Sequence, residues 1–157
     1  MKKIGFIGTG LMGFPMAKNI LKSGYKLKAF NRTLSKVKAL EEFGAEIAIT
    51  LSELVKDSEI IITMLTDDEA IDEVMGSLNF LDYLKPGSIV IDMSSIKPIT
   101  AKKHEKNLSL KKIKYLDAPV SGGTIGAEDG SLAIMIGGEK KVFKEVEDLL
   151  KTMGNPT

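Results

Sequence analysis

Gly8, Gly10 and Gly13 stand at G-x-G-x-x-G spacing within Ile4-Gly5-Phe6-Ile7-Gly8-Thr9-Gly10-Leu11-Met12-Gly13. An apolar run precedes them and an amphipathic segment follows, so the spacing falls where a strand turns into a helix. Each glycine meets a different demand. Gly8 permits a sharp turn, Gly10 lets a pyrophosphate approach the backbone, and Gly13 lets the helix pack closely on the strand. The N–H groups at the helix start face the phosphates, and the helix dipole favours negative charge there. The chemistry on offer is anion binding of the dinucleotide type. A glycine-rich turn without ligand can have the same spacing, so the neighbouring segments must discriminate.

The second group is Asn31-Arg32-Thr33, at the end of the next apolar run. In a doubly wound α/β fold this position lies beside the adenosine ribose. A carboxylate there selects NAD through the 2′-hydroxyl, and an arginine accommodates the 2′-phosphate of NADP. This stretch has no acid and does have Arg32, a forked donor suited to phosphate. A charge-assisted contact is worth about 1.5–3 kcal/mol, roughly a ten- to hundredfold preference for NADPH over NADH. NADP is therefore the expected cofactor, with NAD less favoured. A surface arginine in an ordinary turn is the plain alternative.

The third group is Val120–Gly130, which contains Gly122, Gly123, Gly126 and Gly130. It reads as an extended loop. Its free N–H groups and the hydroxyls of Ser121 and Thr124 suit a carboxylate. A plain connection is the alternative, although such glycine density argues for close approach by something.

Alternating strands and helices must position these groups. Expected strands are 2–7, 26–30, 46–48, 59–65, 88–92, 113–117 and 132–136. The run 59–65 is isoleucine-rich, like a central parallel strand. Expected helices are 11–23, with Pro15 in its first turns, then 35–43, 52–56 capped by Ser52, 68–75 capped by Thr66 or Asp67, 97–108 opened by Lys97-Pro98, and 139–152. Glycines 24 and 44 read as helix stops. His104 reads as a solvated residue on a lysine-rich helix. The pattern predicts an α/β, Rossmann-type, doubly wound and mostly parallel sheet forming a single domain over residues 1–157.

Composition narrows the function. The chain of 157 residues is 43% apolar, with mean hydropathy near zero, as expected of a soluble globular domain. Its 22 basic and 21 acidic side chains leave a net charge of +1, so no basic footprint for nucleic acid or an acidic membrane is present. It has no cysteine and one histidine. That excludes disulfides, thiolate catalysis and cysteine- or histidine-rich metal sites. No apolar stretch is long enough to span a membrane, and a cytoplasmic protein is the default expectation.

Residues Gly5–Asn19 resemble the N-terminal signature of the β-hydroxyacid dehydrogenase family, with Met12, Pro15, Met16 and Asn19 extending the match beyond the glycines. The family includes 3-hydroxyisobutyrate dehydrogenases, tartronate semialdehyde reductases, glyoxylate/succinic semialdehyde reductases and 6-phosphogluconate dehydrogenases. Asp117-Ala118-Pro119-Val120-Ser121-Gly122-Gly123 is similar to its substrate-binding motif, and Gly126-Ala127 and Gly130-Ser131-Leu132 extend that likeness. The resemblance implies that the backbone of Gly8, Thr9, Gly10, Leu11, Met12 and Gly13 holds the cofactor pyrophosphate. Asn31, Arg32 and Thr33 look like the NADP-type ribose site. Met64 and Leu65 would line the cleft, and Ser95 would lie near the nicotinamide ribose. Ser121, Gly122 and Gly123 would bind the carboxylate of a small substrate. The family's catalytic lysine belongs to a helical second domain that also supplies the dimer interface. That domain is expected to be absent here, so no catalytic residue is assigned. The expectation is cofactor binding with poor turnover by the chain alone, and an apolar face that favours self-association. A non-catalytic module that binds NADP(H) or another protein is the alternative.

Overall fold

The structure is a computed structural model and describes residues 2–157. The first half comprises β1 (Ile4–Ile7), α1 (Gly13–Lys22), β2 (Leu27–Phe30), α2 (Ser35–Lys38), β3 (Glu46–Ile47), α3 (Leu51–Asp57), β4 (Ile60–Thr63), α4 (Asp68–Met75) and α5 (Leu78–Leu81). The second half comprises β5 (Ile89–Asp92), α6 (Pro98–Ser109), β6 (Lys114–Asp117), β7 (Val120–Ser121), α7 (Gly123–Asp129), β8 (Leu132–Ile134), α8 (Lys140–Lys151) and β9 (Gly154–Pro156). Six strands form one parallel sheet in the order β3-β2-β1-β4-β5-β6. This is the Rossmann order, and its reversal point lies between β1 and β4.

Side chains alternate across the sheet and build two cores. Ile4, Phe6, Ile60, Ile62, Ile89 and Ile91 face one layer, with α1 and α8 packed over them. Ile7, Ile61 and Val90 face the other, with α3 and α6. A strand buried on both faces must be apolar at every position, and Ile60–Thr63 is buried throughout.

Several local expectations are corrected. Val120–Gly130 is not an extended loop: it folds as β7 and the helix α7. Leu132 lies against both Gly122 and Gly126, where a Cβ would come within 3.2 Å of its side chain. Part of the glycine content therefore serves packing. The final residues also form a strand, β9, and β7-β8-β9 make a small second sheet that alternation alone did not reveal. Thr50, not Ser52, caps α3, because its side chain accepts the Glu53 N–H. The helix expected over 35–43 is α2 followed by a 3₁₀ segment, Ala39–Phe43. The short α5 was not anticipated.

His104 is not solvated. Only 3% exposed, it lies on the buried stripe of α6 with Thr100, Ala101 and Leu108. Its Nε2 is 2.7 Å from Asp72 Oδ1 on α4. One helical turn earlier, Asp68 Oδ2 accepts from Thr100 Oγ1 at 2.6 Å and from the Lys97 N–H at 3.0 Å. Asp68/Asp72 and Thr100/His104 are both i,i+4 pairs, so two helix faces meet as a two-point lock. The Asp72 carboxyl is held below its ordinary range by Lys103 and then by His104.

Replacing His104 with alanine removes a buried hydrogen bond and opens a cavity, so a loss of about 2–3 kcal/mol is expected in urea unfolding. Lys103→Ala removes only an exposed pairing of the same carboxylate, and its cost should stay below about 0.5 kcal/mol.

Candidate functional site

Except for Ser95 and Ser121–Gly123, the predicted residues lie where β1, β2 and β4 end and α1 begins. The N–H of Gly8 donates to the Phe30 carbonyl at 3.0 Å, and the N–H of Thr9 donates to Asn31 Oδ1 at 3.0 Å. The Thr9 hydroxyl donates to the Lys36 carbonyl at 2.7 Å, and Asn31 Nδ2 donates to the Thr33 carbonyl at 3.1 Å. These bonds pin the glycine turn to the β2–α2 connection. Met64 and Leu65 close the other side. A Cβ on Gly8, whose φ is +101°, would lie 2.2 Å from the Met64 carbonyl and 2.9 Å from the Leu65 side chain. A Cβ on Gly13 would lie 1.8 Å from the Gly8 carbonyl. Both glycines are therefore required by packing. Gly10 differs: nothing lies within 4 Å of its would-be Cβ.

The first α1 bond beyond the turn runs from the Phe14 N–H to the Gly10 carbonyl. The N–H groups of Leu11, Met12 and Gly13 therefore precede any intrahelical partner. The geometry fits a pyrophosphate: open space over Gly10 and a helix N-terminus behind it.

Two clefts flank the Thr9 pin. One, of about 630 Å³, is lined by Gly8, Asn31, Arg32, Leu65, Ala70 and Glu73, among others. The other, of about 590 Å³, is lined by Thr9, Gly10, Leu11, Phe14, Lys18 and Lys36, among others. The first lies at the switch point, where such folds take ligands. Lys36 borders both clefts. It escaped the sequence reading, although its place one turn into the helix after Asn31-Arg32-Thr33 was a usable signal. Met12, Gly13, Thr33, Met64 and Ser95 are outside both linings. Ser121, Gly122 and Gly123 are also outside them, exposed where β7 runs into α7. Asn19 Nδ2 donates to the Ala127 carbonyl at 2.8 Å and ties α7 to α1. The position of Ser121–Gly123 is thus coupled to the same helix that begins at the turn.

Ser94, rather than Ser95, makes the structural contact with the β4 loop: it is fully buried, and its Oγ accepts the Leu65 N–H at 2.8 Å. Behind it is a polar row, buried at Thr63 and Asp92 and half-buried at Asp117. Thr63, Asp92 and Asp117 are in register on neighbouring strands. Asp92 Oδ1 accepts from Thr63 Oγ1 at 2.9 Å and from the Ser94 N–H at 3.0 Å. Asp92 Oδ2, Asp117 Oδ1 and the Tyr115 hydroxyl have no hydrogen-bond partner among the described residues. Burial pushes the Asp92 carboxyl up to about 6, with Asp117 adding to it, against the opposing bonds from Ser94 and Thr63. Asp117 is raised by burial and by Glu105, and the Tyr115 phenol is raised by burial, Asp92 and Asp117. Among the described residues no metal-binding cluster is found, and no helix is long and apolar enough to cross a membrane.

Comparison with known proteins gives a consistent result. The profile of the family described as the NAD binding domain of 6-phosphogluconate dehydrogenase matches residues 3–157. An oxidoreductase of Bacillus subtilis, YkwC, described as uncharacterized, is 42% identical over 98% of this chain and 54% of its own length. The 2-(hydroxymethyl)glutarate dehydrogenase of Eubacterium barkeri is 41% identical over 97% of this chain and 51% of its own. The structure of a Mycobacterium tuberculosis 3-hydroxyisobutyrate dehydrogenase with L-serine superposes with a TM-score of 0.95 at 28% identity, covering 100% of this chain and 54% of that one. The chain spans about half the length of the relatives it matches.

A carboxyl raised by folding holds its proton over an interval where the unfolded chain has released it, so stability falls as pH rises through that interval. Asp92→Asn keeps an acceptor for Thr63 and Ser94 but cannot titrate. Urea unfolding from pH 4 to pH 7 should show the parent losing roughly 3 kcal/mol relative to this variant, mostly between about pH 4 and 6. A pH-independent difference would show that burial does not raise Asp92.

Proposed function

The chain belongs to the family of the NAD-binding domain of 6-phosphogluconate dehydrogenase, a cofactor domain of β-hydroxyacid dehydrogenases, and from that premise we propose that it binds NADP(H) for hydride exchange with a small 3-hydroxy acid or its semialdehyde. One observation carries the reading: the open backbone at Gly10, backed by the free N–H groups at the start of α1, beside the Asn31–Arg32 tip of β2.

Each part has a physical task. The N–H groups of Leu11, Met12 and Gly13 bind the pyrophosphate. Arg32 and Lys36 offer cationic donors to a 2′-phosphate, and Thr33 lies between them in sequence. Asn31 holds the turn through Thr9 and keeps the ribose side in register with it. Leu65, fixed by Ser94, gives the cleft an apolar wall, and the Met64 N–H donates to the Ile7 carbonyl at 2.9 Å at the end of β1. Ser95 is exposed beside the buried Ser94, and this reading gives it the nicotinamide end. Ser121, Gly122 and Gly123 offer hydroxyl and N–H donors to a substrate carboxylate. The bound nicotinamide supplies the hydride chemistry, and these residues bind and orient.

In a fluorescence titration, NADPH should bind saturably and at least about tenfold tighter than NADH, a difference of about 1.4 kcal/mol. Arg32→Asp should reverse that order. Equal binding by the parent protein would remove the NADP assignment and leave the dinucleotide site. Gly10→Ala should keep the parent's thermal stability, since its Cβ meets open space. It should weaken both nucleotides about tenfold or more by blocking the pyrophosphate. Unchanged affinity would place the pyrophosphate elsewhere.

A further inference from the structure

The end of β2 carries no carboxylate in sequence, which gives Arg32 apparently undivided access to a phosphate. The fold supplies a carboxylate from elsewhere. Glu73, 41 residues further along the chain, extends from the last turn of α4, and its Oε1 accepts from Arg32 Nη2. Both residues line the 630 Å³ cleft. Their side chains are 76% and 61% exposed, and an exposed ion pair of this kind is weak and readily exchanged. The contact does not lock Arg32; it makes Glu73 a competitor for it.

The carboxylate is held in that position by α4. Asp67 caps the helix by accepting the Ala70 N–H, and Asp68 and Asp72 fasten an adjacent face to α6. The acids of α4 are thus divided between two faces. Asp68 and Asp72 face α6, while Glu69 and Glu73 line the cleft together with Asp67. Three acids in that lining face two cations, Arg32 and Lys36. A phosphate bonded to the guanidinium must approach a carboxylate bonded to the same guanidinium, and the two anions repel. A ribose hydroxyl in that place carries no charge and can donate to the carboxylate.

We propose that Glu73 is a specificity-determining residue of the nucleotide cleft: by sharing Arg32 it restrains the preference for a 2′-phosphorylated adenosine and lets the unphosphorylated cofactor compete. This rests on the reading of the cleft as a dinucleotide site.

Calorimetric titration of the parent protein, Glu73→Gln and Glu69→Gln with NADPH, NADH, 2′,5′-ADP and 5′-AMP tests it. Glu69→Gln removes the same charge from the same helix face without touching Arg32. In Glu73→Gln, NADPH and 2′,5′-ADP should bind about three- to tenfold tighter, with NADH and 5′-AMP no tighter than before. The gain should shrink in high salt. Glu69→Gln should change the ratios by less than about half as much on a logarithmic scale, since it only alters the general field. Unchanged ratios in Glu73→Gln, or equal changes in both variants, would overturn the sharing of Arg32 while leaving the dinucleotide site in place. If the parent binds none of the four, the site reading fails and the inference fails with it. Both glutamates are exposed, and Glu73→Ala, checked for folding by circular dichroism, gives an independent second variant.

Discussion

Among the glycines of the described residues, the tightest site is where α1 meets the end of β1: a single methyl group on Gly13 would overlap the Gly8 carbonyl. Much else follows from that contact. It sets the depth of α1 against the sheet, and α1 covers one core layer through Met16, Ala17 and Ile20. It also fixes where the unpaired N–H groups of the helix start emerge, above Gly10. β1 lies between β2 and β4, so an outward displacement of α1 would disturb three strands and the loops beyond them. The sequence from Gly8 to Gly13 is thus a packing constraint first, and its ligand chemistry is a consequence of the geometry that constraint imposes.

The carboxyl edge of the sheet carries a second constraint of another kind. Thr63, Asp92 and Asp117 place polar side chains in one row, buried at Thr63 and Asp92 and half-buried at Asp117. Asp92 joins the ends of β4 and β5 through Thr63 and Ser94, and Ser94 holds the N–H of Leu65. The row trades stability for position. Burial disfavours the Asp92 carboxylate, yet its oxygen organises two loops that border the candidate site.

The helices behind the site are not passive cover. The two-point lock of α4 on α6 fixes the rotation of α4, and that rotation turns Glu73 toward Arg32. The composition of the cleft wall, cationic from the β2 side and acidic from the α4 side, therefore depends on contacts made on the adjacent face of α4. A small substitution there can alter the charge met by a ligand without touching the cleft.

Much of the architecture was legible from the chain because it rests on local physics. The isoleucine-rich runs required buried parallel strands, glycine spacing marked the β1–α1 turn, and Thr66-Asp67 marked the start of α4, where Asp67 proves to be the cap. These signals lie within a few residues of the structure they produce. What remained hidden required partners distant in sequence. His104 looked solvated among lysines until Asp72 was placed opposite it. Val120–Gly130 looked like a loop because the residue that packs its glycines, Leu132, belongs to the following strand. The terminal residues needed β8 as a neighbour before they could become a strand. Above all, the missing carboxylate at the tip of β2 was missing only along the chain. The tertiary structure brings one across from α4, because charge acts through distance in space and takes no account of separation in sequence.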